Sequence, residues 1–242
     1  MASLWTWLVV APLAAFSTIF FGTISLVLSL FDSNQRKQIE TARLWARSLV
    51  LLAGVKVEVE GLEKIDPKGH YVFASNHLSY ADTPVVFSSI PVQFRFLAKK
   101  GLFQIPFLGW HLKTAGHIPV PREDPRAALK TLSRAAEMIG TRGISVLFFP
   151  EGGRSEDGKL QDFKDGAAYI AIKAQAPLVP LALLGAREIL PMGSATIHRG
   201  RVRLRIGDPI PTKGLTLHDR RALTDAARAQ VERMLDVSSV PT

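Results

Sequence analysis

Apolar and polar positions along this chain change rhythm several times, and each change predicts an element. The first stretch has no rhythm at all. From Ser3 to Phe31, SLWTWLVVAPLAAFSTIFFGTISLVLSLF, there is no charged side chain. A helix needs roughly 20 apolar residues to cross a bilayer core, so the run is long enough to span or to lie within one leaflet. It is longer than the ~7–15-residue core of a secretory signal, and no basic residue comes before it. Pro12 and Gly22 are possible kinks, of a kind that lipid-embedded helices tolerate. Asp32, Ser33 and Asn34 then predict a helix N-cap, and the next helix runs to Ala53 and stops at Gly54. Its Arg36, Glu40, Arg43 and Arg47 share one face, with Trp45, Leu49 and Leu52 opposite. Residues 1–54 therefore read as a membrane-associated helical hairpin whose basic face suits an anionic surface. The same pattern also describes a helix packed on its own domain with a solvated polar face.

From Val55 the rhythm becomes that of strands and helices in turn. Val55 to Glu60 alternates as a strand does. His70 to Ser75, Phe94 to Lys99, Ile144 to Pro150 and Leu178 to Gly185 are short apolar runs of strand type. Asp124 and Pro125 open a helix that ends near Gly140, with Leu129, Leu132, Ala136 and Ile139 as its buried stripe. Gly166 to Ala174 and Thr216 to Leu235 read as further helices. Strands alternating with helices predict one α/β domain over residues 55–242, built on a mixed, largely parallel sheet flanked by helices.

Composition sharpens this picture in two ways. The net charge is +9, which points to an anionic partner: nucleic acid, an anionic bilayer or a phosphorylated substrate. There are no cysteines, which excludes disulfides, thiolate metal sites and a cysteine nucleophile. Aromatic residues are only 8%, and nucleic-acid binding would explain neither the uncharged start nor the loops described next. Arg199, Arg201, Arg203 and Arg205 share one face of a strand opposite Val202, Leu204 and Ile206. That face would bind headgroups or donor phosphates, or would simply be solvated.

Candidate chemistry lies where strands end, since ligands of open α/β folds bind beyond the carboxyl ends of the strands. After Ser75 comes NHLSYAD. His77 and Asp82 are five apart and would not share a face of one helix. They can meet if His77 sits in a loop and Asp82 in the first turns of a helix starting near Ser79. Asp82 would then fix the ring tautomer and leave the other nitrogen as a base. The spacing by itself favours a plainer reading, in which Asp82 complements the helix start and His77 satisfies a backbone group. After Phe149 comes PEGGRS. Its glycines allow close backbone approach, Arg154 offers a planar fork for phosphate, and Glu151 would hold that arginine or orient a hydroxyl. Between these loops lies KKGLFQIPFLGWHLKTAGHIPVPRED, with Lys99, Lys100 and Arg122. Walker, dinucleotide-binding and serine-elbow motifs are absent from the sequence.

Taken in this order, the segments resemble the 1-acylglycerol-3-phosphate O-acyltransferase family of glycerolipid acyltransferases. NHLSYAD is similar to its N-H-x-x-x-x-D motif, and the lysine-to-arginine segment to its second. FPEGGRS is similar to F-P-E-G-T-R-S, and APLVPLAL to the fourth, an apolar strand containing proline. The resemblance covers roughly Val57 to Leu184. Gly153 stands where the family has Thr, and Pro121 where Asp or Asn is common. The resemblance implies acyl transfer from acyl-CoA or acyl-carrier protein to a lysophospholipid, forming phosphatidic acid without metal or cofactor. His77 would be the base and Asp82 its orienting partner. Arg122 and Arg154 would grip the acceptor phosphate, and Lys100 an oxyanion or a phosphate. Asn76, Glu151, Gly152, Gly153 and Ser155 would shape the acceptor site. The expected location is the cytoplasmic face of a bacterial inner membrane. The rival readings are an acyltransferase with another acceptor (another lysophospholipid, glycerol 3-phosphate or an aminoacyl lipid) and a non-catalytic protein that binds anionic lipid.

Overall fold

The computed structural model describes residues 2–121, 123–155 and 157–236. The elements run α1 (Ala2–Trp5), α2 (Ala11–Ser29), α3 (Arg36–Leu52), β1 (Val55–Glu60), β2 (Val72–Ser75), α4 (Asp82–Ser89), β3 (Phe94–Lys99), α5 (Leu108–Thr114), β4 (Ile118–Val120) and α6 (Pro125–Arg142). They continue with β5 (Ser145–Phe148), α7 (Gly166–Ala174), β6 (Leu178–Leu184), α8 (Ala186–Ile189), β7 (Gly200–Ile206) and α9 (Arg220–Leu235). A π-helical turn, Thr6–Val10, makes α1 and α2 one continuous rod.

The seven strands form one sheet in the order β1-β7-β6-β2-β5-β3-β4. β6, β2, β5, β3 and β4 are mutually parallel, β7 runs antiparallel to β6, and β1 pairs parallel with β7. The sheet is thus mixed and largely parallel, as the alternation of elements predicts. Its centre is dry because β2 and β6 are apolar on both faces, which suits strands covered by helices on each side. Ile39, Ala42 and Ala46 of α3 and Val85 and Val86 of α4 pack on one face, while α6, α7 and α9 cover the other. β2 lies between β5 and β6, so the loop after Ser75 emerges at the middle of the sheet's carboxyl edge.

Three local expectations change. The N-cap of α6 is as predicted, Asp124 accepting the N–H groups of Arg126 and Ala127, but the helix passes Gly140 and ends at Gly143. Its buried stripe is Ala135, Ala136 and Ile139, whereas Leu129 stands 51% exposed, because β5 and α7 meet only the later turns. The basic face of α3 is divided. Arg36, Glu40 and Arg47 are exposed, but Arg43 is buried and donates to the carbonyls of Ile90, Pro91 and Val92. Those groups end α4, where carbonyls lack helical partners and a cation is favoured. The arginines of β7 are matched too: Arg201, Arg203 and Arg205 pair with Glu58 and Glu60 across β1. That face is an ion-pair ladder rather than an open cationic strip.

The N-terminal rod packs against α3 as a hairpin, with Ser17 Oγ 2.6 Å from Ser48 Oγ and Trp45 Nε1 donating to Thr18 at 3.1 Å. Its amphipathicity is inverted. The hydroxyl residues Thr6, Ser17 and Ser25 are buried, while Leu8, Leu13, Phe16 and Phe20 face outward.

Candidate active site

The site is built by two loops that leave neighbouring strands. β2 delivers Asn76, whose side-chain amide does not reach toward a ligand. It continues the sheet instead, donating to Leu183 O at 3.0 Å and accepting Leu183 N–H at 2.8 Å. This pins the chain one residue before His77. The His77 backbone is then clasped by the loop after β5: its N–H goes to Glu151 Oε1 at 2.6 Å, and its carbonyl accepts Ser155 N–H at 2.9 Å.

His77 and Asp82 do meet. Nδ1 lies 2.7 Å from Asp82 Oδ2, with the aspartate fully buried and the histidine nearly so. An ionised carboxylate only accepts, so Nδ1 carries the proton and Nε2 presents a lone pair. Among the described residues Nε2 makes no hydrogen bond. The same Asp82 oxygen also accepts the N–H groups of Leu78 and Ser79, at 2.7 and 2.8 Å, which locks the carboxylate against rotation. The helix carrying it starts at Asp82 rather than near Ser79. Ser79 spends its hydroxyl on a tighter turn, accepting Ala81 N–H and donating to Leu190 O. Pro84 then falls in the first turn, where a missing N–H costs nothing. On the other side of the imidazole, Phe149 stacks face to face, with ring centroids 3.9 Å apart and planes 15° from parallel.

Glu151 does not hold Arg154 in the way the sequence left open. Its second oxygen accepts Gln161 N–H at 2.9 Å, so both oxygens are used on backbone. Burial pushes its carboxyl above the ordinary range, against the opposing pull of the Gln161 and His77 N–H groups. Gly152 has φ +78°, in the left-handed region that favours glycine. Gly153 differs: a Cβ would meet nothing within 4 Å, so the backbone does not demand glycine and a threonine would fit. Ser155 is buried and bonds Asp157 at 2.8 Å, bracing its own loop. Arg154 lies over the ring of Tyr80, 3.8 Å from its centroid, which joins the two loops on their outer side.

Lys100 is exposed just beyond β3, two strands from β2, or ~10 Å along the same edge at the usual strand spacing. Arg122 lies outside the described residues. Sequence reasoning did not single out Phe149, Tyr80 or Gln161. The first two are aromatics inside the FPEGGRS and NHLSYAD segments, and that position was the only signal.

A loop-borne histidine with a buried aspartate on one nitrogen and a bare second nitrogen can take a proton from a hydroxyl. Comparison with known proteins agrees with this chemistry. A family model described as Acyltransferase matches residues 56–184. A chloroplastic 1-acyl-sn-glycerol-3-phosphate acyltransferase of Arabidopsis thaliana is 38% identical over 213 residues, covering 86% of this chain and 57% of the relative. A chloroplastic counterpart from Brassica napus is also 38% identical, covering 87% and 60%. The human 1-acyl-sn-glycerol-3-phosphate acyltransferase alpha is 29% identical, covering 87% and 74%. The chain thus spans less than two thirds of the two chloroplast relatives. The crystal structure of a 1-acyl-sn-glycerophosphate acyltransferase from Thermotoga maritima shares the fold, with a TM-score of 0.82, 24% identity and coverage of 99% and 98% of the two chains. Because the family model covers more than half of its length, from β1 through β6, this chain belongs to the acyltransferase family.

Proposed function

We propose that the protein transfers a fatty acyl group from an acyl thioester, acyl-CoA or acyl-carrier protein, to the sn-2 hydroxyl of 1-acylglycerol 3-phosphate, giving phosphatidic acid. The observation that carries this reading is the His77–Asp82 contact at 2.7 Å with Nε2 left unbonded. Nε2 removes the hydroxyl proton as the oxygen attacks the thioester carbonyl. Asp82 stabilises the imidazolium that forms. The tetrahedral intermediate collapses, the carbon–sulfur bond breaks, and the thiolate takes the proton back from Nε2. No acyl-enzyme is required. Arg154 and Arg122 bind the acceptor phosphate as planar donors, and Lys100 meets either the oxyanion or a phosphate. Asn76, Glu151 and Ser155 act from behind, by holding the His77 backbone and its clasping loop.

The inverted face of the N-terminal rod supports a reaction at a membrane surface. Exposed Leu13, Phe16 and Phe20 beside buried serines suit lipid as the surrounding solvent. The rod is also fastened to the α/β domain at both ends: Thr6 to Ile197, and Ser25 to His111 at 2.6 Å. These points are ~28 Å apart along the helix. A helix so fastened cannot cross a bilayer core of ~30 Å while its domain stays in water. This supports a rod lying along one leaflet, and the need for a thioester donor supports the cytoplasmic side.

The test is acyl transfer by purified protein on a panel of lysophospholipids and glycerol 3-phosphate, with both donor types. Highest kcat/KM with 1-acylglycerol 3-phosphate is expected, and His77→Ala should remove turnover with the fold intact. Preference for an acceptor lacking the phosphate monoester, or substantial turnover by His77→Ala, refutes the reading. Arg154→Ala should raise the acceptor KM far more than the donor KM.

A further inference from the structure

Eight large apolar side chains from β1 onward are exposed among the described residues, and three of them fall within nine positions. Leu102, Ile105 and Trp110 are 37%, 45% and 46% exposed. Single exposed apolar residues are ordinary on a soluble surface, but a local cluster marks an interaction site. These three lie on the 3-10 turn Lys100–Gln104 and the start of α5. Of that segment, α5 packs on α2. Phe107 abuts Gly22 so closely that a Cβ there would be 3.1 Å from Phe107 Cβ. Trp110 leans on Phe107, with centroids 5.1 Å apart, and His111 bonds Ser25 one turn later. The exposed cluster therefore lies on the surface of the domain that the rod packs against, beside Gly22 and Ser25. Exposed Lys99, Lys100 and Lys113 border it, a cationic rim matching lipid phosphates.

We propose that residues 102–110 are a second membrane-inserting element, entering the same leaflet as the rod. This inference rests on the reading that the rod faces lipid. The segment follows the carboxyl end of β3, on the sheet edge that carries His77. Inserted, it sets that edge against the headgroup plane, so a lysolipid reaches the cleft sideways with its acyl chain still in the leaflet. Trp110 sits at the boundary, where an amphipathic ring is favoured.

Two single-tryptophan variants of the full chain test this, one keeping Trp7 and one keeping Trp110, with the other tryptophans changed to Phe. Each is bound to phosphatidylethanolamine–phosphatidylglycerol vesicles with and without acyl-chain bromination, and acyl transfer is checked in both. Loss of fluorescence at both positions on brominated vesicles is expected. Loss at Trp7 alone overturns the second element while leaving the rod's placement intact, and loss at neither overturns both. A Leu102→Ser/Ile105→Ser variant should partition to the same vesicles more weakly, by on the order of tenfold. Its transfer to a short-chain, monomerically dissolved acceptor should be unchanged. Equal loss on dissolved and vesicle-borne acceptor would instead place the segment in the catalytic cleft and sink the proposal.

Discussion

Replacing Asp82 by Asn isolates the charge behind His77 from its shape. The asparagine oxygen can still accept from His77 Nδ1 and from the N–H groups of Leu78 and Ser79, the three bonds that Asp82 Oδ2 makes at 2.7, 2.7 and 2.8 Å. The loop geometry is therefore retained, and the cost falls on the step in which His77 becomes a cation. An imidazolium and a carboxylate with centres ~4 Å apart attract by about 4 kcal/mol at an effective dielectric of 20. Asp82 is fully buried and His77 nearly so, so solvent does little to screen the pair. At 1.36 kcal/mol per decade, kcat should fall about a thousandfold. The KM values for donor and acceptor should change little, because neither substrate touches Asp82. The assay is steady-state release of the donor thiol against both substrates, with circular dichroism and thermal unfolding to confirm the fold. A loss under tenfold, with the fold intact, would falsify the assignment of His77 as a base supported by charge.

Other outcomes follow from the same geometry. Glu151→Gln should lower kcat more than it raises the acceptor KM, since it sets an amide donor against Gln161 N–H and loosens the His77 backbone; a pure acceptor-KM effect would return Glu151 to the ligand side. Arg43→Met should lower unfolding stability by about 2–4 kcal/mol by leaving the carbonyls at the end of α4 without their charged donor, and denaturant melts showing no change would refute that role. His111 is held down to about 4 from its ordinary value near 6.5 by burial and by Arg95. A depressed folded-state value means its contribution is present above pH ~6.5 and lost as pH falls toward 4, by up to about 3 kcal/mol. Thermal midpoints should drop across that range, less steeply for His111→Asn; identical slopes would show that His111 does not report the acid loss.

The sheet and the His77–Asp82 pair were legible to different degrees. Strands such as Val55–Glu60 and Phe94–Lys99 match the sequence reading because burial on one or both faces leaves a short-range imprint. The His77–Asp82 spacing carried no such imprint, since five residues in a loop can adopt many geometries. What selected one was contact from afar: Glu151, 74 positions later, holding the His77 N–H, and Leu183, 107 positions later, holding Asn76. Arg43 shows the opposite error. Its helical spacing placed it correctly on a polar face, but the connection after α4 covers that one position and buries it while Arg36, Glu40 and Arg47 stay exposed.

By itself, the sequence determined the alternation of strands and helices, the uncharged N-terminal run and the residue types able to move a proton and bind phosphate. These follow from local periodicity and side-chain chemistry. Tertiary structure decided which of those groups are spent on the backbone. It turned Asn76 and Glu151 into supports, paired the β7 arginines with β1 and set Phe149 against the imidazole. It also turned the rod so that its serines face inward and its apolar side chains outward. The physical reason is common to all of these. A side chain's partner is fixed by strand order and helix docking, which are long-range properties that periodicity does not encode.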